Sequence, residues 1–235
     1  MRLAVVIPHR KRSDLLALAQ ASAGDLPVLV EDDRAGPGRG FAATANAGLA
    51  RAQAQGFDRV LLLNDDAQLL PGCVEALLAV DAELVGPLLL DPSGRVESAG
   101  LRFSERSGRL KQVVEVPAQV QEVDALSGAC LLMPARARFD LAFRHGMEDV
   151  DLCRRVRRHG GRVVLQPDAR CLHVGGATVN RRSREATREA LRGHLRLLQG
   201  RPLQQGLALG YALGQVLREG GPLERLLGLA EAIRS

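Results

Sequence analysis

Unbroken apolar runs alternate with amphipathic ones along the first third of the chain. Leu3 to Ile7 form a continuous apolar run that stops at Pro8. Such a run predicts a strand covered on both faces. "SDLLALAQA" has helical spacing, with Ser13 or Asp14 as a cap. "LPVLVED" predicts a second buried strand, "GFAATANAGLARAQAQG" an Ala-rich helix ending at Gly56, and "RVLLLND" a third strand. "PGCVEALLAVD" then opens a helix at Pro71. This order predicts an α/β fold with parallel strands and right-handed crossovers. Ligands of such sheets bind beyond the carboxyl ends of the strands. Asp32, Asp33, Asn64, Asp65, Asp66 and the "IPHRKR" turn all fall at those ends.

The pattern then changes. "AELVGPLLLDPSGRVESAGLRFSERSGRLKQVVEV" carries short alternating runs separated by "DPSG" and "ERSG" turn signals, which predicts a β-hairpin insertion. "VDALSGACLLMP" returns to a core strand, and "MEDVDLCRRVRRHGG" predicts a helix stopped by Gly160 and Gly161. "RVVLQPDARCLHVGG" predicts two short strands. From Ser183 onward the spacing is helical, broken near 200–202 and 220–222. The expected division is a core over residues 1–180 and a C-terminal helical appendage over 181–235.

Two adjacent carboxylates at the end of a core strand are costly unless something compensates them. Asn64 and Asp66, two residues apart, can lie on one side of an extended strand end. Their oxygens suit Mg²⁺ or Mn²⁺ together with substrate phosphates; turn chemistry accounts for the same residues. In "EDDRAGPGRGF" a glycine-rich loop opens a helix whose N-terminus favours anions, or serves only as a loop. Glu148 and Asp151 share a helix face and can pair with arginines one turn on, while Asp149 points toward the apolar stripe of Cys153 and is a candidate base. His173, before Gly175 and Gly176, is either a structural histidine or the completion of a metal site.

Composition narrows the classes. With 235 residues, 46% hydrophobic and 25% charged, the chain suits a soluble globule. No apolar run approaches the roughly 18–20 residues of a membrane span, and the N-terminal run is too short for a signal sequence. The chain is therefore expected to be cytoplasmic. The four cysteines are scattered and form no CxxC pair, so buried free thiols are expected. The net charge of +5 is carried by arginine and fits nucleic acid, anionic lipid or phosphorylated small molecules. Aromatics at 3% and no Trp supply few stacking platforms, so nucleic acid is not expected as a partner.

Several segments, in order, resemble one family. "VVIPHR", "VLVEDD", "GRGFAATANAGL", "LLLNDDAQL", "SGACLLMPARARFD" and above all "EDVDLCRRVRRHGGRVVLQPDARCLHVGGAT" are similar to the inverting glycosyltransferases of family 2, especially bacterial rhamnosyltransferase-like members. The resemblance covers about residues 3–180. It implies the GT-A fold: a Rossmann-like, mostly parallel sheet with helices on both faces. It also implies a UDP- or dTDP-linked sugar donor, an Mg²⁺ or Mn²⁺ ion, and a glycan, lipid-linked or small-molecule acceptor in cell-surface polysaccharide or glycan assembly. By that resemblance Pro8, Arg10 and Asp32 border the nucleoside and Asn46 shapes the same pocket. Asp66 holds the ion and His173 is a further ligand of metal or phosphate. Asn64 replaces the first Asp of a strict DxD, and Asp65 restores its charge. Asp149 is the catalytic base and Glu148 its neighbour.

Two other readings compete. A sugar-1-phosphate nucleotidyltransferase also uses such a sheet and a metal, but "VVIPHRKRS" has no glycine for a phosphate loop. A non-catalytic nucleotide- or nucleic-acid-binding module would use the basic surface alone. The arginine-bearing C-terminal helices are expected to pack on the core, form a homodimer contact, or attach peripherally to the inner face of the membrane.

Overall fold

The computed structural model describes residues 1–10, 13–34, 38–143, 146–175, 184–218 and 223–234. The chain runs β1 Leu3–His9, α1 Ser13–Ser22, β2 Val28–Asp32, α2 Phe41–Ala54, β3 Arg59–Leu63, β4 Ala67–Leu69 and α3 Cys73–Leu78. It continues through β5 Leu84–Leu90, β6 Val96–Ser98, β7 Leu101–Phe103, β8 Leu110–Gln112, β9 Gln121–Glu122 and β10 Cys130–Pro134. It closes with α4 Glu148–Arg158, β11 Val163–His173, α5 Arg184–Leu197, α6 Pro202–Arg218 and α7 Leu223–Arg234.

The main sheet has the order β2-β1-β3-β10-β5-β11-β4, with β6 on β5 and β9 on β11. β1 pairs in parallel with β2 and β3, and β5 in parallel with β11. β10 runs antiparallel to both β3 and β5, so those two strands point the same way. The long strands other than β10 therefore end at one edge. Helices cover both faces: α2 and α4 bury Leu49, Val150 and Leu152 on one side, α1 and α3 bury Ala19 and Leu77 on the other. Gly48 of α2 is required here, because a Cβ would sit 2.3 Å from Val6 Cγ1 on β1.

Three expectations change. Residues 84–90, expected in the insertion, form the central strand β5. Pro87 is tolerated there because β10 pairs with β5 only through Val85, so no ladder bond needs its missing N–H. The insertion proper is the β7–β8 hairpin, a separate two-stranded sheet. Residues 163–173 form one strand, not two, interrupted by a register shift between Gln166 and Arg170 around Pro167.

Three of the four cysteines scattered in sequence come together in space, while Cys153 lies in the core on the other face of the sheet. Cys130 on β10 packs in one core cluster with Cys171 on β11 and Cys73 on α3, and hydrogen bonding with those two thiols, together with burial, pushes its thiol well above the usual range. All four thiols are free and buried.

The expected boundary at 180/181 lies outside the described residues, as does the helix break at 220–222. The break near 200–202 is present, between α5 and α6. Leu191, Val216, Leu229 and Ala232 make a small cluster of their own, while Leu197, Leu198 and Ala208 join the main core. α5 lies against the start of α4: a Cβ on Gly193 would come within 2.6 Å of the Gly146 carbonyl. Arg154 of α4 donates to the Leu197 carbonyl at 2.9 Å, binds Glu105, and lies 4.5 Å over the Phe103 ring.

Candidate functional site

The parallel strands bring their carboxyl ends to one sheet edge, and the sequence-selected residues gather there. At the end of β1, His9 is buried and its Nδ1 lies 2.8 Å from Asp65 Oδ2. The Arg10 amide donates to the same oxygen at 3.2 Å. Asp65 is thus bound to the β1 end rather than left as a spare charge beside Asp66. Pro8 pairs in register with Glu31 on β2.

Asp32 and Asp33 at the end of β2 divide the work. Asp32, expected at the nucleoside, faces solvent and is held by the Arg34 guanidinium and amide. Those bonds keep its carboxyl well below the usual range. Asp33 is the buried one. It accepts from the amides of Arg39 and Gly40 and from the Arg10 guanidinium. Burial pulls its pKa up, but these donors outweigh it and the net direction is down. Asp33 therefore fixes the loop that starts α2. Asn46, on α2, gives its whole amide to the Phe139 backbone: Nδ2 donates to the carbonyl at 2.9 Å and Oδ1 accepts from the amide at 2.8 Å.

The "NDD" turn joins β3 to β4, and β4 pairs with the end of β11 so that His173 opposes Ala67. This brings Asp66 to His173. Both are buried, with His173 Nε2 3.5 Å from Asp66 Oδ1. The other ring nitrogen, Nδ1, lies 2.8 Å from Glu97 Oε2 on β6. Burial lowers the His173 pKa, but hydrogen bonds with Asp66 and Glu97 outweigh it and raise it to about 9. A carboxylate on one imidazole nitrogen, orienting the other toward a second carboxylate, is a common support for a metal-binding histidine. Among the described residues no group of three or more His, Cys, Asp or Glu side chains is placed to hold a metal ion. Asp66 and His173 supply two donors, which suits an Mg²⁺ or Mn²⁺ ion that takes its remaining ligands from substrate phosphates and water.

The strand exchange at β10 carries this turn to the acid pair. The Asn64 amide donates to the Ala129 carbonyl at 2.9 Å. One residue back, the Gly128 amide donates to Asp149 Oδ2 at 3.0 Å. Asp149 Oδ1 accepts from the Val150 amide at 2.8 Å. Phe41, at the start of α2, lies against Gly128 and meets Phe139 edge to face. Burial raises the Asp149 pKa and the two amides only partly counter it, so the carboxylate is a stronger proton acceptor than an exposed Asp.

Glu148 behaves unlike its expectation. It forms no ion pair with an arginine among the described residues; Asp151 alone pairs, with Arg155 at 2.7 Å. Glu148 is buried and its Oε2 has no hydrogen-bond partner. Burial first, and the Asp149 charge second, push it to about 8. The preceding Met147 has φ 72° and Gly146 φ 91°, a left-handed pair that turns the chain sharply into α4. Both carboxyls of the pair are raised by burial, and the Asp149 charge adds to the rise at Glu148, so Glu148 holds its proton more tightly than an exposed acid does.

Sequence reasoning missed three contributors, His9, Glu97 and the Gly128 amide, and placed Asp33 at the strand ends without giving it a role. His9 and Asp33 stood inside quoted segments, next to residues already selected. Glu97 and the Gly128 amide had no local signal, because both are placed by strand pairing. A polar cavity of about 440 Å³ lies at the opposite sheet edge, lined by Arg59, Glu83 and Arg162 among others. Its arginines donate to the backbone carbonyls of Ala82 and Asp81, which makes it bracing between strands.

The family model described as "Glycosyltransferase like family 2" matches residues 2–192. Uncharacterized proteins of Mycobacterium bovis (Mb1552) and Mycobacterium tuberculosis (Rv1525) are each 29% identical over 172 residues, which is 67% of this chain. The match spans only 63% of the length of those curated relatives. Among solved structures, GalNAc-T7 with UDP, GalNAc and Mn²⁺ superposes with a TM-score of 0.62 at 13% identity, covering 85% of this chain and 48% of that one. S. aureus TarS 1-349 in complex with UDP-GlcNAc gives 0.53 at 14% identity, covering 89% and 70%.

Proposed function

The chain belongs to family 2 of the glycosyltransferases and has the GT-A fold, and from that premise we propose that it transfers a sugar from a nucleoside-diphosphate donor to a hydroxyl acceptor with inversion. The observation that carries the reading is the backbone link from the Asn64–Asp66 turn through Ala129 and Gly128 to Asp149. It supports a reading in which the residues assigned to the cation and the residue assigned to the proton stand on adjoining turns of one sheet edge.

In this reading Asp66 and His173 hold a divalent ion, with Glu97 orienting His173 as a positioning residue. When bound, the ion neutralises the charge that the leaving diphosphate gains. Asp149 accepts the proton of the attacking hydroxyl. Glu148 stays protonated beside it, so that the second acid does not compete for that proton. Attack opposite the leaving group inverts the anomeric centre. Arg10 and Pro8 border the nucleoside. Asp32, the exposed acid of β2, exchanges Arg34 for the donor's base or ribose, while Asp33 and Asn46 fix the loop and helix around it. Neighbours solved with UDP, GalNAc and Mn²⁺, and with UDP-GlcNAc, support a UDP-linked donor and Mn²⁺. The sugar is of hexosyl or rhamnosyl type, passed to a glycan or lipid-linked acceptor in polysaccharide assembly on the cytoplasmic side.

Calorimetric titration of UDP, dTDP and GDP, with Mn²⁺ and then with EDTA, tests this. One nucleotide is expected to bind in a metal-dependent way, Asp66→Ala to lose that binding, and Asp149→Asn to keep it while transfer falls at least about 10²-fold. No binding of any nucleotide with metal present would overturn the proposal.

A further inference from the structure

α6 is apolar on both faces, which a helix resting on the outside of a domain has no reason to be. No charged residue occurs from Pro202 to Leu217. The inner face is spent on packing: Ala208 and Val216 are buried, and Leu209 and Ala212 are partly so. The outer face carries Leu203, Leu207, Tyr211, Leu213 and Leu217, all exposed, with Leu203 at 71% and Leu217 at 62%. At 100° per residue these positions span one side of the helix. Gly206, Gly210 and Gly214 lie among them with open space in front. A helix of 17 residues is about 25 Å long, so the face is one contiguous apolar strip.

The surface beside this strip is basic. The Arg109 guanidinium of the β7–β8 hairpin lies 5.2 Å over the Tyr211 ring. Arg102, Arg106, Arg109 and Lys111 of that hairpin are exposed, and among the described residues none of them forms an ion pair. The segment's one acid, Glu105, is bound by Arg154 and Arg201. α6 lies beyond residue 192, where the family match stops.

We propose that α6 and the β7–β8 hairpin form a docking face for the surface of an anionic phospholipid bilayer. The leucines of α6 enter the headgroup boundary and the hairpin cations meet the lipid phosphates. A second copy fits less well. In a twofold pairing a face meets itself, which would bring the two unneutralised hairpins together. No helix of the described residues is long and apolar enough to cross a membrane, so the contact is peripheral. The inference stands apart from the transferase reading, because it is measured without donor or acceptor.

The test is co-sedimentation of the full chain with phosphatidylcholine vesicles, with and without phosphatidylglycerol. Binding to the anionic vesicles is expected, and raising the salt weakens it. Leu207→Asp with Leu217→Asp lowers the affinity at least about tenfold. Arg106→Ala and Arg109→Ala lower it about fivefold each. Gly206→Ala with Gly210→Ala leaves it unchanged, since a lipid surface needs no close helix approach. Absence of binding by the folded protein would overturn the proposal, as would a leucine variant that binds as well as the parent. So would a dimer in light scattering that both the leucine and the glycine variants dissolve.

Discussion

Replacing Glu148 by Gln tests the division of charge in the acid pair. The carboxyl is buried, one oxygen has no partner, and Asp149 lies beside it. These place its folded pKa at about 8, against 4.5 for the unfolded chain. The native state therefore holds a proton that the unfolded state releases between those values. Stability must fall as pH rises through that window and level off above it. The full gap corresponds to about 5 kcal/mol, at about 1.4 kcal/mol for each tenfold change in proton affinity. Glutamine has the shape of the neutral acid and no proton to lose. Near pH 5 the variant should match the parent to within about 1 kcal/mol, the cost of a changed hydrogen bond. At pH 9 it should be more stable by about 3–5 kcal/mol, or about 10 °C in melting temperature for a chain of this size. Urea unfolding followed by circular dichroism from pH 5 to 9 reads this directly. Parallel stability curves for parent and variant would refute the reasoning, because Glu148 would then ionise as freely folded as unfolded.

Glu97→Ala removes the carboxylate that orients His173, and Mn²⁺ affinity measured by paramagnetic resonance should drop about 10- to 100-fold with the fold intact. Asn46→Ala breaks two bonds to the Phe139 backbone and leaves both backbone groups without partners, which should cost about 2–4 kcal/mol in urea unfolding. A loss of nucleotide binding without that destabilisation would instead place Asn46 in direct contact with the donor. Burial raises the Cys153 thiol to about 12, and hydrogen bonding with Cys171 and Cys73, with burial, raises Cys130; Cys73 is lowered, but like the other three thiols it is buried and out of a reagent's reach. A disulfide reagent should therefore find no fast-reacting thiol in the native protein and four after denaturation.

Much of the fold was legible because buried runs and turn residues are local signals. Leu3–Ile7 and Val60–Leu63 read as core strands because each is apolar without alternation, and Ala4–Ile7 and Val60–Leu63 are fully buried. The carboxyl-edge rule gathered Asp32, Asp33, Asn64, Asp65 and Asp66 before any distance was known, while Asp149 and His173 were selected from the helix start and the glycine-flanked strand end, and by resemblance. The reading failed where a local pattern was ambiguous. Residues 84–90, followed by "DPSG", look like the first arm of a hairpin. Only their pairing with β10 and β11 makes them the centre of the sheet.

Chain order and residue type alone determined the class of sheet and the strand ends at which the candidate acids Asp32, Asp33, Asp65 and Asp66 stand. The tertiary structure decided what each acid does. Asp32 and Asp33 are the same side chain at adjacent positions, yet one faces Arg34 in solvent and the other is sealed under the Arg39–Gly40 loop. Glu148 is an ordinary carboxylate by sequence. Its carboxyl is pushed up to about 8 because it is buried and the Asp149 charge lies beside it. Ionisation depends on solvent and neighbouring charge, and the folded chain sets both.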